Sequence, residues 1–384
     1  MCDNKLILAA AGSGKTRLIV REALANPQER VLITTFTIAN LESIKRRIMK
    51  KNHGTIPSNV FVQTWFSFLI EHGVRPYRYW EKRVVGMKFV KNSSEAGYQS
   101  IRKLYGKDIY VPWREESDFE KHYFTSNMNV YSDKLPKLVI RCDKTPKGKQ
   151  SNGLVINRIV GIFKAVYIDE VQDMAGYDLD IIELLLRSGI RTTMVGDPRQ
   201  TVYQTHHERK HDQYSKGGIK DFILSLPQKR KQLCKVDDDT LRDSHRNSSV
   251  ICALASKLFT DYSECRSLLT GNHEHSGIFF VRRSDVHDYG RITEPLQLRL
   301  NKNVSPLLPT QIMNYGESKG LEAEHVLIYP TVEMLRWLNG EKISLEFKTK
   351  AQLYVAITRA FFSVGIVVED DFSVATSEIA LWTP

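Results

Sequence analysis

The chain has 384 residues, room for two or three domains at roughly 100–200 residues each. Its 42% hydrophobic and 26% charged residues exclude a largely disordered, collagen-like or disulfide-stapled protein. Lys and Arg number 55 against 44 Asp and Glu, a net charge of +11, and this excess points to a polyanionic partner, nucleic acid or an acidic membrane surface. No apolar run approaches the ~20 residues that span a bilayer, and residues 1–5 read as too polar to open a secretory signal. The five cysteines (Cys2, Cys142, Cys234, Cys252, Cys265) are dispersed without metal-ligand spacing, which fits free thiols in a reducing compartment. A cytoplasmic protein with no membrane association is therefore expected.

The first informative stretch is Leu6-Ile7-Leu8-Ala9-Ala10-Ala11-Gly12-Ser13-Gly14-Lys15-Thr16. An apolar strand runs into a small-residue loop, with a helix expected from about Arg17 to Ala25. Gly12 and Gly14 allow the backbone to turn its N–H groups toward a phosphate. Lys15 would reach the outer phosphates, the Thr16 hydroxyl would ligate Mg²⁺, and the helix N-terminus favours an anion. Ala11, Gly12, Ser13, Gly14, Lys15, Thr16 and Arg17 are thus the candidate nucleotide-binding residues, with Ala9 where GxxxxGK[ST] has its first glycine. By itself this loop fits a kinase, a GTPase, a transporter ATPase or a helicase.

Ala165-Val166-Tyr167-Ile168 reads as a buried strand ending in Asp169-Glu170-Val171-Gln172-Asp173. Asp169 is placed to hold Mg²⁺ directly or through water, and Glu170 to polarise an attacking water. Alone, this acidic run also reads as a solvated turn. A third strand, 191–195, leads to Gly196-Asp197-Pro198-Arg199-Gln200, where Gln200 could sense a γ-phosphate. His206, His207 and His211 lack an acidic or cysteine partner at firm spacing, so a loop rather than a metal site is expected.

Taken together these segments resemble superfamily 1 helicases of the UvrD/Rep/PcrA type. The likeness runs in the family's order through Thr34-Thr35-Phe36-Thr37, the basic helix with Lys45, Arg46 and Arg47, and Gln63-Thr64-Trp65-Phe66-Ser67-Phe68. It continues through the acidic motif, residues 195–203, Leu241-Arg242-Asp243-Ser244-His245-Arg246-Asn247, the SKGLE segment at 318–322 and Tyr354-Val355-Ala356-Ile357-Thr358-Arg359-Ala360. The resemblance implies an ATP- and Mg²⁺-dependent enzyme acting on single-stranded or partly duplex DNA. It assigns Glu170, Gln200, Arg246 and Arg359 to hydrolysis, His245 and Glu322 to the nucleotide, and Phe36, Thr64, Trp65, Tyr203, Ser318 and Lys319 to nucleic acid.

The implied fold is α/β: two RecA-like P-loop domains, with a mixed, mainly helical insertion in the first. The expected boundaries are 1–71 with 156–230, an insertion at 72–155, and 231–384. The insertion holds 17 basic and 9 acidic residues, suiting phosphate contacts, and its aromatics could stack bases. The charged run 228–239 reads as an exposed linker. Between the Arg246 motif and SKGLE the family carries a large regulatory domain; here only about fifty residues separate Phe259 from Ile312, and they read as core elements. The chain begins too close to its first strand for the family's adenine-reading glutamine motif, and His245 stands where a stacking tyrosine is usual, so relaxed nucleobase choice is expected.

Two functions follow. One is a single-stranded-DNA-stimulated ATPase that translocates 3′→5′ and unwinds duplex. The other is an ATP-gated sensor controlling a partner nuclease, since the compact architecture resembles helicase subunits of anti-phage systems such as Gabija. A small-molecule kinase would leave SKGLE and YVAITRA unexplained.

Overall fold

The computed structural model describes residues 3–77, 84–90, 97–104, 107–144, 153–202, 210–227, 232–271, 273 and 275–384, with backbone alone for 100–104 and 107–109. In chain order its strands are β1 (Lys5–Ala9), β2 (Val31–Thr35), β3 (Val60–Thr64), β4 (Gly86–Lys88), β5 (Tyr98–Leu104), β6 (Lys107–Pro112), β7 (Asn129–Tyr131), β8 (Ala165–Asp169), β9 (Arg191–Gly196) and β10 (Lys235–Leu241). They continue with β11 (Gly277–Arg282), β12 (Leu296–Arg299), β13 (Ile312–Asn314), β14 (Ala323–Ile328), β15 (Ala360–Val368) and β16 (Ala380–Leu381).

One six-stranded sheet has the order β10-β1-β9-β8-β2-β3. Its pairs β2–β3, β2–β8 and β8–β9 are parallel, with Ile33 opposite both Val62 and Tyr167. β2 and β8 are buried at every position, which is why they read as continuous apolar or Thr-rich runs rather than alternating ones. The second six-stranded sheet, β13-β12-β14-β15-β11-β16, is parallel at every join. Its core gathers Ile251, Phe280, Leu298, Val326, Tyr354 and Ile366. Two parallel α/β sheets are the expected fold class, and in such sheets ligands meet the carboxyl ends of the strands.

The chain divides into two compact units. One comprises residues 1–6, 16–196 and 204–236; the other comprises 7–15, 197–203 and 237–384. Residues 7–15 and 197–203 thus group with the carboxyl-terminal sheet, although the residues flanking them in sequence belong to the first unit. The stretch from 259 to 312 supplies β11, β12, β13 and the helix Val286–Thr293, elements of that sheet and its cover.

Between residues 72 and 155 the described chain is mixed. β4 pairs with β7, β5 and β6 form an antiparallel hairpin, and the helices Phe119–Tyr123 and Leu135–Asp143 follow. The hairpin makes this region richer in strand than expected. One sequence expectation is corrected outright: Asp237, Asp238 and Asp239 lie in β10, not in a linker. β10 is the edge of its sheet, so charged side chains can sit on it facing water, where they also discourage edge-to-edge pairing. Lys229, Arg230 and Lys231 fall outside the described residues.

Candidate functional site

The helix that follows the small-residue loop starts at Lys15, two residues earlier than the sequence suggests, and from Thr16 onward it belongs to the first unit. Thr16 stands in its first turn, and its hydroxyl donates to Asp169 Oδ2 at 3.4 Å. Asp169 closes β8, is buried, and its Oδ1 accepts the Glu170 N–H at 3.0 Å. Glu170 takes φ = +57°, a left-handed backbone that costs a non-glycine residue about 1–3 kcal/mol and clusters at functional sites. The turn Val171–Asp173 begins immediately after it. Its carboxylate accepts the Gln172 side-chain amide at 2.5 Å.

One hydroxyl and one carboxylate fit Mg²⁺, which keeps several waters and needs only one or two protein carboxylates besides substrate phosphates. Among the described residues no group of three or more His, Cys, Asp or Glu could hold a metal. His211 meets Asp180 at 3.4 Å and packs on Tyr214 and Phe222.

In the second unit, the small-residue loop lies against the Arg246 motif. The His245 N–H donates to the Gly12 carbonyl at 3.0 Å and the Ala10 N–H to Leu241 O at 2.8 Å. Gly12 has φ = +72°, and a Cβ there would fall 2.5 Å from Arg246 Cβ and from Ser244 Oγ, so no other residue fits. Ser13 is buried, its hydroxyl donating to Ala10 O at 2.8 Å. Gly14 has φ = +92°; Lys15 is half-buried and Arg17 exposed.

A compact turn carries Arg246. Ser244 Oγ accepts the N–H groups of Arg246 and Asn247. Asn247 Nδ2 donates to Thr358 O (3.0 Å) and Ala360 O (2.6 Å), fastening this turn to the one bearing Arg359. Arg246 is ion-paired with Glu322, so the residue assigned to a ribose neutralises the residue assigned to a phosphate. Arg359 is 2% exposed. Its guanidinium donates to Val355 O (3.0 Å), Leu321 O (3.2 Å) and Gln200 Oε1 (3.4 Å). Gln200 in turn donates to Asp197 Oδ2 at 2.9 Å.

Two of the residues that the resemblance assigns to nucleic acid are buried. Trp65 is wholly buried and its indole N–H donates to Asp178, so here it presents no face to a base. Ser318 is also fully buried, its hydroxyl donating to Tyr315 O at 2.7 Å. Each is covered by residues distant in the chain or folded over the motif. Phe36 is half-buried, edge-on to Phe66 at 5.2 Å. The Thr64 hydroxyl caps the following turn by accepting the Ser67 N–H, Lys319 is half-buried and His245 is exposed. Tyr203, His206 and His207 lie outside the described residues.

Sequence reasoning overlooked Tyr354 and Asp197, both buried at the centre of this network. A signal existed: a tyrosine inside the apolar run 353–357 must find a partner for its hydroxyl when buried.

A parallel-sheet α/β fold with a glycine loop leading into a helix and a Thr–carboxylate pair at a strand end has the form of a P-loop protein. Residues 1–72 and 117–207 match the UvrD/REP helicase N-terminal domain, and the chain is similar to helicases of that type. It is 23% identical over 317 residues to a probable DNA helicase II homolog of Mycoplasma capricolum subsp. capricolum, covering 69% of this chain and 40% of that protein. It is 21% identical over 455 aligned positions to a probable DNA helicase of Mycoplasma pneumoniae, covering 96% and 82%. The chain therefore spans less than half the length of the first of these relatives. Among solved structures, the Arterivirus nonstructural protein 10 helicase in complex with DNA aligns with a TM-score of 0.44 at 14% identity, covering 96% of this chain and 62% of that one. Among the described residues no helix is long and apolar enough to cross a membrane.

Proposed function

We propose that the chain is an ATP-dependent, single-stranded-DNA-stimulated translocase that works 3′→5′ and unwinds duplex DNA. The observation that carries this reading is the Thr16–Asp169 pair at the end of β8, with Glu170 held in a strained turn directly after it. Mg²⁺ held by Thr16 and Asp169 would neutralise charge on the nucleotide phosphates. Lys15 and the loop amides would bind those phosphates, and Glu170 would orient and deprotonate the attacking water. Arg246 and Arg359 would stabilise charge developing on the transferred phosphoryl group. Gln200, hydrogen-bonded to Arg359, would link that charge to the following segment and Tyr203. Phe36, Thr64 and Lys319 remain the proposed contacts to nucleic acid on the residues described.

The deciding measurement is the ATPase rate with and without single-stranded DNA. A rate raised by single strands supports the reading; a rate indifferent to DNA overturns it. A second reading, a DNA-sensing ATPase that controls a partner nuclease, draws support from the stretch 259–312, which supplies the sheet's own strands rather than a large added domain. It predicts single-strand-stimulated hydrolysis without duplex unwinding by the isolated chain.

A further inference from the structure

We propose that the Tyr354 phenol is a positioning group that registers the phosphate loop against Gln200 and Arg359, and so sets the rate of hydrolysis in response to DNA; this rests on the ATPase reading above. The phenol oxygen accepts the Ala11 N–H at 3.3 Å and its hydroxyl donates to Asp197 Oδ2 at 2.9 Å. The same carboxylate oxygen accepts from Gln200 Nε2 at 2.9 Å, and Gln200 Oε1 accepts from Arg359. Asp197 Oδ1 holds Arg199 Nε at 2.8 Å, while Arg199 Nη2 donates to Ala9 O at 3.1 Å. One buried carboxylate therefore ties two positions of the phosphate loop, through a phenol and a guanidinium, to the two side chains assigned to the γ-phosphate.

The frame around this chain is closely packed. Tyr354 lies in the helix Phe347–Ile357, and its carbonyl accepts the Thr358 N–H at 3.0 Å, one residue before Arg359. Its ring meets Phe259 edge-on at 5.8 Å and stacks under the Arg199 guanidinium at 5.0 Å. Burial alone would favour loss of charge on Arg199, but Asp197 and Tyr354 beside it outweigh that and hold it protonated; burial likewise holds the Tyr354 phenol neutral, as a donor. In such a dry site each hydrogen bond carries more electrostatic weight than in water, and a loop amide displaced by a fraction of an ångström would shift every partner along the chain. Packing would survive loss of the hydroxyl, because ring and helix are held by apolar contacts; the registration would not.

The test is Tyr354→Phe, which keeps the ring and removes the hydroxyl, assayed beside wild type, Gln200→Ala and the double variant. Expected is a fall of about ten-fold in DNA-stimulated kcat, the scale of one hydrogen bond to a charged group, with KM for ATP and melting temperature nearly unchanged. The double variant should be no slower than the slower single one, since both act through one chain. A lowered melting temperature with unaltered kcat of the folded fraction, or additive losses in the double variant, would overturn the proposal and leave Tyr354 a packing residue. A wild-type protein without ATPase activity would instead remove the ATPase reading, and this proposal with it; an active wild type with an unaffected Tyr354→Phe removes only the proposal.

Discussion

The indole N–H of Trp65 donates to Asp178 Oδ1 at 2.7 Å, and both side chains are completely buried. The pair joins the residue after β3 to the first turn of the helix Tyr177–Arg187. Trp65→Phe keeps an aromatic ring but leaves a buried carboxylate one donor short, a loss of roughly 1–3 kcal/mol. The urea midpoint should fall accordingly, while single-strand stimulation of the folded protein's ATPase holds. Unchanged stability with lost stimulation would mean that Trp65 leaves the core to meet a base.

Glu170→Gln preserves shape while removing the base. Turnover should fall by at least two orders of magnitude, the usual range for a positioned general base, with ATP and single-stranded DNA still bound. Lys15→Ala should weaken both ATP binding and turnover. Comparing binding of a fluorescent ATP analogue with phosphate release separates the two, and near-normal turnover in Glu170→Gln would dismiss it as the base.

The two arginines should behave differently despite parallel roles. Arg359 is buried and donates to Val355 O, Leu321 O, Gln200 Oε1 and Thr358 Oγ1, so Arg359→Ala should cost both stability and turnover. Arg246 is only partly buried and salt-bridged to Glu322; exposed pairs contribute about 0–1 kcal/mol. Arg246→Ala should therefore slow turnover by ~10³-fold, the scale of an arginine finger, with little change in melting temperature. Calorimetry and steady-state rates on both variants check this, and a large melting shift in Arg246→Ala would make that pair structural.

Local chemistry was the most legible part of the site. Thr16, Asp169 and Glu170 sit in short motifs whose meaning depends on immediate neighbours, and strand before helix is readable from apolar runs. What the chain order hid were contacts between distant segments. Trp65 looked available because Asp178 lies 113 positions away. Asp237 to Asp239 looked like a solvated linker because an edge strand tolerates charge on its outer positions. Tyr354 entered only as the first residue of the segment that carries Arg359, and only the fold brings it to Ala11 and Asp197. The hairpin Tyr98–Pro112 carries charged and polar residues in both strands, so alternation gave no signal.

Acid should destabilise the first unit through two buried histidines. Burial lowers the pKa of His72 below its ordinary 6.5, against the opposing pull of Glu71 and with Arg158 adding to the fall. His122 is lowered first by burial; Lys137 and Lys134 add to this, and the Trp113 carbonyl and Glu115 oppose it. A depressed folded pKa means that the unfolded chain binds the proton more readily, so the stabilisation is complete above about 6.5 and is lost as pH falls toward the folded value. Melting temperature should drop between about pH 7.5 and 5.5. His72 rests against Phe68 and Phe163, so His72→Phe should fit that pocket and flatten the drop; an identical pH profile would clear His72 of any part in it.

Three of the insertion's described rings lie beside its own cations: Lys121 lies 4.4 Å from the Trp113 ring centre, Lys88 5.8 Å from Tyr131 and Lys134 5.6 Å from Tyr98, while Phe89 and Tyr110 are exposed. With 17 basic against 9 acidic residues, charge is the main thing this region offers a nucleic acid. Its affinity should then come from phosphates, be indifferent to sequence and weaken steeply with salt. Arg114, Lys121 and Lys144 are exposed. Replacing all three by alanine should reduce the slope of log affinity against log salt by roughly 0.7 for every phosphate of a single strand that goes unneutralised, and leave basal ATPase alone. Fluorescence anisotropy with labelled oligonucleotides at several salt concentrations measures the slope directly. If the triple variant keeps the slope but loses affinity for purine-rich strands in particular, the insertion grips bases after all.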